Sequence, residues 1–305
     1  MLASDPWMTL AVAADVSWTF DPGPLLLTAI LAWLYLPRWV RVRREHGATA
    51  APVWRLCSYV LGLLTLLAAL ISPIDVLGEQ SFTFHMAQHL LLLDVAPILL
   101  IVGLTKIILR PATRRLMNLE RALGPLMHPA VAVALYIVAM WVWHIPVLYD
   151  AAVEHSLVHV LEHICFLSLG FLYWWQLLSP IRSRFHTSAM GPISYMLATK
   201  FGVGILGLGL TFATEALYPV YEQREQIFGF TADSDQQLGG ELMVLEQMLI
   251  MGIALAFLLF RALDESEREQ QRRERLEDRA EALAGAEGAP APDTSAPERV
   301  RRRTG

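Results

Sequence analysis

Seven stretches of the chain are apolar over about the 20 residues that a helix needs to cross a bilayer. This feature constrains the fold most, because backbone polar groups inside lipid need internal partners and only helices and closed barrels supply them. The pattern therefore predicts an all-α polytopic membrane bundle of seven transmembrane helices. The predicted spans are Pro22–Val40, Trp54–Ser72, Phe82–Ile107, His128–Leu148, His155–Leu178, Gly191–Thr214 and Gly239–Ala262.

The composition agrees with a membrane domain followed by a polar tail. Hydrophobic residues make up 55% of the 305 residues and charged residues 17%, which is fewer charges than the ~25% of soluble domains. We expect an extracytoplasmic segment over residues 1–21, the membrane domain over 22–262 and a charged, partly disordered cytoplasmic tail over 263–305. The net charge of −5 argues against a nucleic-acid partner.

The connections between the predicted spans alternate in charge. Basic residues follow the first, third and fifth spans, whereas the other connections are mainly acidic. Since basic connections stay in the cytoplasm, the N-terminus is predicted to lie outside and the C-terminus inside. The basic residues are Arg38, Arg41, Arg43, Arg44, Lys106, Arg110, Arg114, Arg115, Arg121, Arg182 and Arg184.

Histidines gather at the predicted outer ends of three consecutive spans. His85 and His89 are four residues apart and so share a helix face, with Met86 between them. His144 closes the fourth span. The fifth span carries one histidine stripe with Glu162 beside it, formed by His155, His159 and His163.

Several roles fit such a cluster. The pattern fits structural hydrogen-bonding groups, a proton relay, axial ligands of haem, or ligands of a metal ion such as copper, with Met86 available to Cu(I). Metalloprotease, redox, nucleotide-binding and hydrolase motifs (HExxH, CxxC, P-loop and GxSxG) do not occur in the sequence, which argues against an enzyme.

Among the charged residues inside predicted spans, a lysine and two carboxylates are singled out, because an unpaired charge there is costly. Lys200 falls in the sixth span, Asp94 in the third and Glu246 in the seventh. An ion pair of Lys200 with either carboxylate is predicted. It would be structural, or it would belong to a transporter of small solutes or ions.

Three stretches resemble the CtaG-type cytochrome c oxidase assembly factors, which are bacterial integral membrane proteins. They are "HMAQHLLLLDVAPILLIVG" at 85–103, "WHIPVLYDAAVEHSLVHVLEHICFLSLGFLYWWQLL" at 143–178 and "DQQLGG" at 235–240. The resemblance covers roughly Ser72 to Ala262. The sixth helix departs from it, since "ATKFGVG" stands where a Pro-Phe-His motif is expected.

The resemblance implies a multi-pass protein of the bacterial plasma membrane that helps to mature a haem-copper cytochrome c oxidase through copper handling. Its partners would be the oxidase subunits, and a haem-binding electron-transfer protein remains an alternative. The residues carried over by resemblance are His85, Gln88, His89, Trp143, His144, Pro146, His155, Glu162, His163, Asp235, Gln236 and Gln237.

Overall fold

The computed structural model describes residues 14–181, 191–224 and 227–287. All regular elements in these ranges are helical, as predicted. The helices are α1 (Pro22–His46), α2 (Val53–Ile71), α3 (Pro73–Gln80), α4 (Phe82–Leu90), α5 (Ala96–Gly103), α6 (Lys106–Leu123), α7 (Pro129–Trp143), α8 (Pro146–Glu154), α9 (Ser156–Leu178), α10 (Gly191–Thr211), α11 (Pro219–Glu222) and α12 (Ala232–Glu287). A π turn, Leu91–Val95, joins α4 to α5, and a 3-10 turn, Gly124–Met127, precedes α7.

The predicted number of seven spans is not confirmed. Six helical segments of the described residues are long and apolar enough to cross a membrane. A seventh exists only if the segments Lys106–Met127 and Pro129–Trp143, which meet at 66°, count as one. The fourth predicted span is shorter than expected because α7 ends at Trp143 and Pro146 starts a new helix.

The π turn in the third span has an identifiable cause in the sequence. Pro97 has no N–H, so the carbonyl of Leu93 lacks the donor that a regular helix would place four residues later. The N–H of Ala96 instead donates to the carbonyl of Leu91, five residues back. Asp94 is fully buried in this turn.

The Asp94 carboxylate is held by two aromatic donors. Its Oδ1 accepts hydrogen bonds from Tyr136 Oη on α7 at 2.9 Å and from Trp174 Nε1 on α9 at 2.8 Å. The turn thus ties the third span to two other helices through one buried carboxyl group.

Glycines permit close packing on both sides of α4 and α5. A Cβ on Gly170 of α9 would overlap the carbonyl group of Leu93, so only glycine fits there. Gly239 of α12 lies in the same way against the ring of Phe82. A Cβ on Gly240 would be 2.6 Å from the backbone nitrogen of Thr211 in α10. The two glycines of "DQQLGG" therefore let α12 approach α4 and α10.

The helices α1, α2 and α5 form one apolar core. The rings of Tyr35 and Tyr59 stack there with centroids 3.6 Å apart. The hydroxyl of Tyr35 donates to the carbonyl of Gly103 at 2.9 Å. Arg55 donates through Nη1 to the carbonyls of Val102 and Leu104, which satisfies the C-terminal end of α5.

The chain divides into two compact units, Met1–Ala256 and Phe257–Gly305. In the second unit the described side chains of α12 are mostly exposed and form i,i+4 ion pairs, Arg268 with Asp264 and Arg273 with Glu269. Within the predicted charged tail, the chain is thus helical as far as Glu287.

Some predictions fall outside the described residues. They concern residues 1–13 of the predicted N-terminal segment, the basic residues Arg182 and Arg184, and residues 288–305 of the predicted disordered tail.

Labelling of single cysteines in intact cells tests the predicted orientation. With Cys57 and Cys165 replaced by serine, we expect a membrane-impermeant maleimide to label Ser156→Cys at the outer end of α9 and not Asn118→Cys in α6, because basic connections remain inside. Both positions are exposed, so disruption of the membrane should make both reactive. Labelling of Asn118→Cys alone in intact cells would reverse the orientation.

Candidate metal-binding site

Helix α4 is fixed at its N-terminus by a residue from the far end of the membrane domain. The Asp235 carboxylate accepts hydrogen bonds from the backbone N–H groups of Phe82 at 2.7 Å and Thr83 at 3.2 Å, and from the Ser81 hydroxyl at 2.9 Å. A carboxylate there satisfies unpaired amides and complements the positive end of the helix dipole. Asp235 thereby positions the face of α4 that carries His85 and His89.

A buried carboxylate joins the two histidines of α4 to helix α9. The Oε2 atom of Glu162 lies 3.5 Å from His85 Nε2 and 3.5 Å from His89 Nε2. All three side chains are at most 3% exposed. His85, His159 and Glu162 each offer one ligand atom, and these three atoms all lie within 4.8 Å of one another.

The polar atoms of this group lack hydrogen-bond partners. Both ring nitrogens of His85 and of His89, both carboxylate oxygens of Glu162, and the Nε2 atoms of His159 and His163 are buried without such a partner. Each unpaired buried polar group costs about 1–3 kcal/mol. Three of these eight atoms lie at ion-pair distance, since His85 Nε2 and His89 Nε2 are each 3.5 Å from Glu162 Oε2, but none forms a hydrogen bond. A donor set of imidazole nitrogens and carboxylate oxygens fits a cation.

The imidazole rings of α4 and α9 pack against one another in pairs. The ring centroids of His85 and His159 are 5.4 Å apart, and those of His89 and His163 are 5.8 Å apart. Phe166 closes the inner side, with its ring 4.5 Å from that of His89, and Trp143 packs against Phe166. The histidines of α4 and α9 thus lie against one another at these four positions.

His155 does not join this group. It is exposed at the N-cap of α9, one turn before His159. The predicted stripe of three histidines therefore contributes only its inner two members, because the helix begins at Ser156 and leaves His155 outside the packed interface.

His144 and Met86 lie beside the group. The His144 ring is buried and 6.2 Å from the ring of Tyr149, which is itself 4.9 Å from the ring of His85. The Nε2 atom of His144 is 3.3 Å from the sulfur of Met86.

Four aromatic rings that the sequence analysis missed cover the group. Phe82, Tyr149, Tyr218 and Tyr221 pack together, with Tyr149 and Tyr218 centroids 4.1 Å apart. Tyr221 donates to the carbonyl of Gly78, so Tyr149 must donate to the Tyr221 oxygen at 3.1 Å. The three tyrosines lie between the predicted spans, where the sequence has no helical periodicity. The only signal in the sequence was that several tyrosines lie in connections that also carry or adjoin histidines.

The remaining residues carried over by resemblance have structural contacts. Gln236 accepts from the N–H of Leu217, and Gln237 donates to the carbonyl of Ala213, so both hold the connection after α10. Pro146 is the first residue of α8. Gln88 faces away from Glu162 and donates to Asp75 Oδ1 at 2.6 Å and to the carbonyl of Ala69.

Lys200 has no ion pair with Asp94 or Glu246 among the described residues, contrary to prediction. Asp94 is held by Tyr136 and Trp174 instead, and Glu246 accepts from Gln247 Nε2 at 2.8 Å. Uncharged hydrogen-bond donors thus bind both carboxyl groups where the ammonium group of Lys200 was predicted.

The stability of the protein should depend on pH through Asp75. Burial raises the pKa of the Asp75 carboxyl to about 6, although hydrogen bonds from Gln88 and Thr19 oppose this. A raised pKa means that folding favours the protonated form, so the stabilisation is complete below the unfolded pKa and is lost as pH rises through 6. We expect Asp75→Asn to melt at a higher temperature than the wild type at pH 7.5 in detergent, and the difference to shrink at pH 4.

Glu154→Gln, at the exposed end of α8, is the control and should show no such dependence. A difference between Asp75→Asn and the wild type that is the same at both pH values would contradict the assignment.

Comparison with known proteins gives one family match. The model of a family described as "Cytochrome c oxidase caa3 assembly factor (Caa3_CtaG)" matches residues 33–265, which include every residue of the group around Glu162. No solved structure matches the chain.

The chain is also similar to mycobacterial proteins. It is 24% identical over 246 residues to "Uncharacterized protein ML1998" of Mycobacterium leprae, covering 74% of this chain and 36% of that protein. It is 24% identical over 242 residues to "Uncharacterized protein Mb0105" of Mycobacterium bovis, covering 73% and 36%. The chain thus spans about a third of the length of the curated relatives that it matches.

Proposed function

The chain belongs to the cytochrome c oxidase caa3 assembly factor family, and from this membership we propose that it binds copper transiently at the Glu162 group and passes it to the oxidase. Copper is cargo here and not a resident cofactor. The site would lie in the outer leaflet of a bacterial plasma membrane, and the oxidase subunits would be the partners. The protein would act as a carrier and catalyse no reaction.

The observation that carries this proposal is the set of unpaired atoms around Glu162. His85 Nε2 and His89 Nε2 both lie 3.5 Å from the same carboxylate oxygen, in a place where none of the three side chains is exposed beyond 3%. Neutral imidazole is a good ligand for copper. Among the divalent first-row metal ions, Cu²⁺ is generally bound most tightly by a given site.

The arrangement also suits release. The ligands come from two helices, α4 and α9, so that a small separation of these helices would weaken several bonds together. The rings of Tyr149, Tyr218 and Tyr221 pack together beside His85 and would have to move for an ion to pass outward. A site of this kind holds an ion until a partner displaces the cover.

The geometry favours a small ion over haem. The Glu162 carboxylate occupies the space next to both His85 and His89, and the packed rings of Tyr149 and Phe166 border the same two histidines. A porphyrin would need this volume for itself. The transporter alternative loses its main support, since Lys200 has no ion pair with Asp94 or Glu246.

The copper content of the oxidase tests the proposal. A bacterium that lacks this chain should still make the oxidase polypeptides, but the purified oxidase should contain less copper per haem, and the defect should be greatest in copper-limited medium. Supplying the chain on a plasmid should restore the ratio. Full copper content in the oxidase from cells without the chain would exclude a role in copper delivery.

A further inference from the structure

The imidazole of His144 points an electron pair at a sulfur atom. His144 Nδ1 is 2.6 Å from the carbonyl oxygen of Met140. A carbonyl accepts only, so Nδ1 carries the proton and Nε2 of the neutral ring does not. This Nε2 lies 3.3 Å from the Sδ atom of Met86.

The contact between Nε2 and the sulfur joins two acceptors. A thioether sulfur has no proton to donate, and the unprotonated Nε2 has none either. Both side chains are buried, Met86 to 1% exposed and His144 to 6%. Two electron pairs that face each other away from water repel, and a cation that accepts both would turn the contact into an attractive one.

The separation of the two atoms fits ligands of one ion. With bonds of about 2.0 Å to nitrogen and 2.3 Å to sulfur, as at zinc, a tetrahedral angle places the two ligand atoms about 3.5 Å apart. The observed distance is 3.3 Å. The side chains would thus need only a small adjustment to bind.

We propose that Met86 and His144 form a subsite selective for Cu(I), next to the His85–His159–Glu162 group. Thioether sulfur is a soft ligand that selects Cu(I), whereas imidazole and carboxylate also serve Cu(II) and zinc. The proposal rests on the proposed copper handling and specifies the oxidation state of the ion at this subsite.

The surroundings hold both ligands in place. Tyr218 donates to the backbone carbonyl of His144 at 3.1 Å, which anchors the residue, and the hydrogen bond from Nδ1 to the carbonyl of Met140 orients the ring. Gly239 of α12 faces Met86, and a Cβ there would be 3.3 Å from Met86 Cγ. Ligands that are oriented in this way by outer contacts bind metal more tightly.

A Cu(I) competition assay tests the subsite. The purified protein in detergent is titrated under reducing conditions against a coloured Cu(I) chelator, with Met86→Leu and, as control, Met196→Leu, which replaces an equally buried methionine in α10. A Met-to-Leu exchange keeps the volume and usually costs less than ~1.5 kcal/mol of stability. We expect Met86→Leu to weaken Cu(I) binding by about tenfold or more and the control to leave it unchanged.

X-ray absorption of the copper-loaded proteins identifies the ligands directly. A sulfur shell should appear in the wild type and in Met196→Leu and be absent from Met86→Leu, while zinc binding should be the same in all three. Copper bound by nitrogen and oxygen alone in the wild type overturns the subsite and leaves the proposed function standing. A sulfur shell that depends on Met86, found together with full oxidase copper in cells lacking the chain, supports the subsite and refutes the function.

Discussion

Replacing His85 and His89 together by alanine is expected to reduce copper binding by tenfold or more and to lower oxidase activity in parallel. The two residues supply two of the ring nitrogens next to Glu162. The expected loss of stability is smaller. Alanine leaves cavities, but it also removes four buried nitrogens that have no hydrogen-bond partner. Copper content, oxidase activity and protein abundance are measured together, and added copper should restore part of the activity.

Two further variants sharpen this test. The double replacement leaves the Glu162 carboxylate buried without a neighbouring imidazole on α4, so a triple variant that also carries Glu162→Gln separates the loss of copper from the cost of an isolated charge. His46→Ala, at an exposed position in the last turn of α1, is the control. If the double variant accumulates normally and supports full oxidase activity in copper-limited medium, the histidines are structural.

A comparison of His155 with His159 distinguishes the structure from the sequence pattern. The pattern makes the two residues equivalent, whereas the structure leaves His155 exposed and brings His159 within the group of His85 and Glu162. Copper affinity should therefore fall in His159→Ala and stay near the wild-type value in His155→Ala.

Replacing Gly170 by alanine should strongly destabilise the membrane domain. A Cβ at this position would overlap the carbonyl group of Leu93, which is backbone and cannot move without shifting the π turn. Overpacking of this kind costs about 1–3 kcal/mol and occasionally more. We expect a lower melting temperature and reduced abundance, with the third span displaced from α9.

Gly204→Ala in α10 is the matched control, because a Cβ there would have no neighbour within 4 Å. Alanine in a helix is more favourable than glycine by about 1 kcal/mol, so this variant should be as stable as the wild type or more stable. Equal melting temperatures for the wild type and both variants would show that α9 and the third span can separate without cost.

Two features of the sequence, the length of its apolar runs and the spacing of its histidines, account for most of what could be predicted. Apolar runs of sufficient length indicated the helices, and the i,i+4 spacing of His85 and His89 indicated that both imidazoles lie on one helix face. The topology placed the histidines of α4 and α9 at the same depth, whereas the 3.5 Å contacts of Glu162 with both rings are visible only in the structure.

The contacts that the sequence pattern missed depend on tertiary structure. Asp94 looked like the partner of a lysine, because a sequence does not reveal that a π turn would direct it to Tyr136 and Trp174. Tyr149 and Tyr221 carry no periodic signal, and their role as a cover depends on how two connections fold back over α4. The break at Pro146 was visible in the sequence but was included in an apolar run.

The hydrogen bonds from α4 to Asp235 have a consequence for biosynthesis. Ribosomes deliver the chain from its N-terminus, so Ser81 and Phe82 enter the membrane some 150 residues before the carboxylate that accepts their hydrogen bonds. Until α12 is inserted, the first turn of α4 lacks its cap and the tyrosines after α10 lack the anchor that Gln236 provides. Nascent and truncated chains therefore lack the contact that orients the face of α4 carrying His85 and His89, and only the arrival of the last helix completes that arrangement.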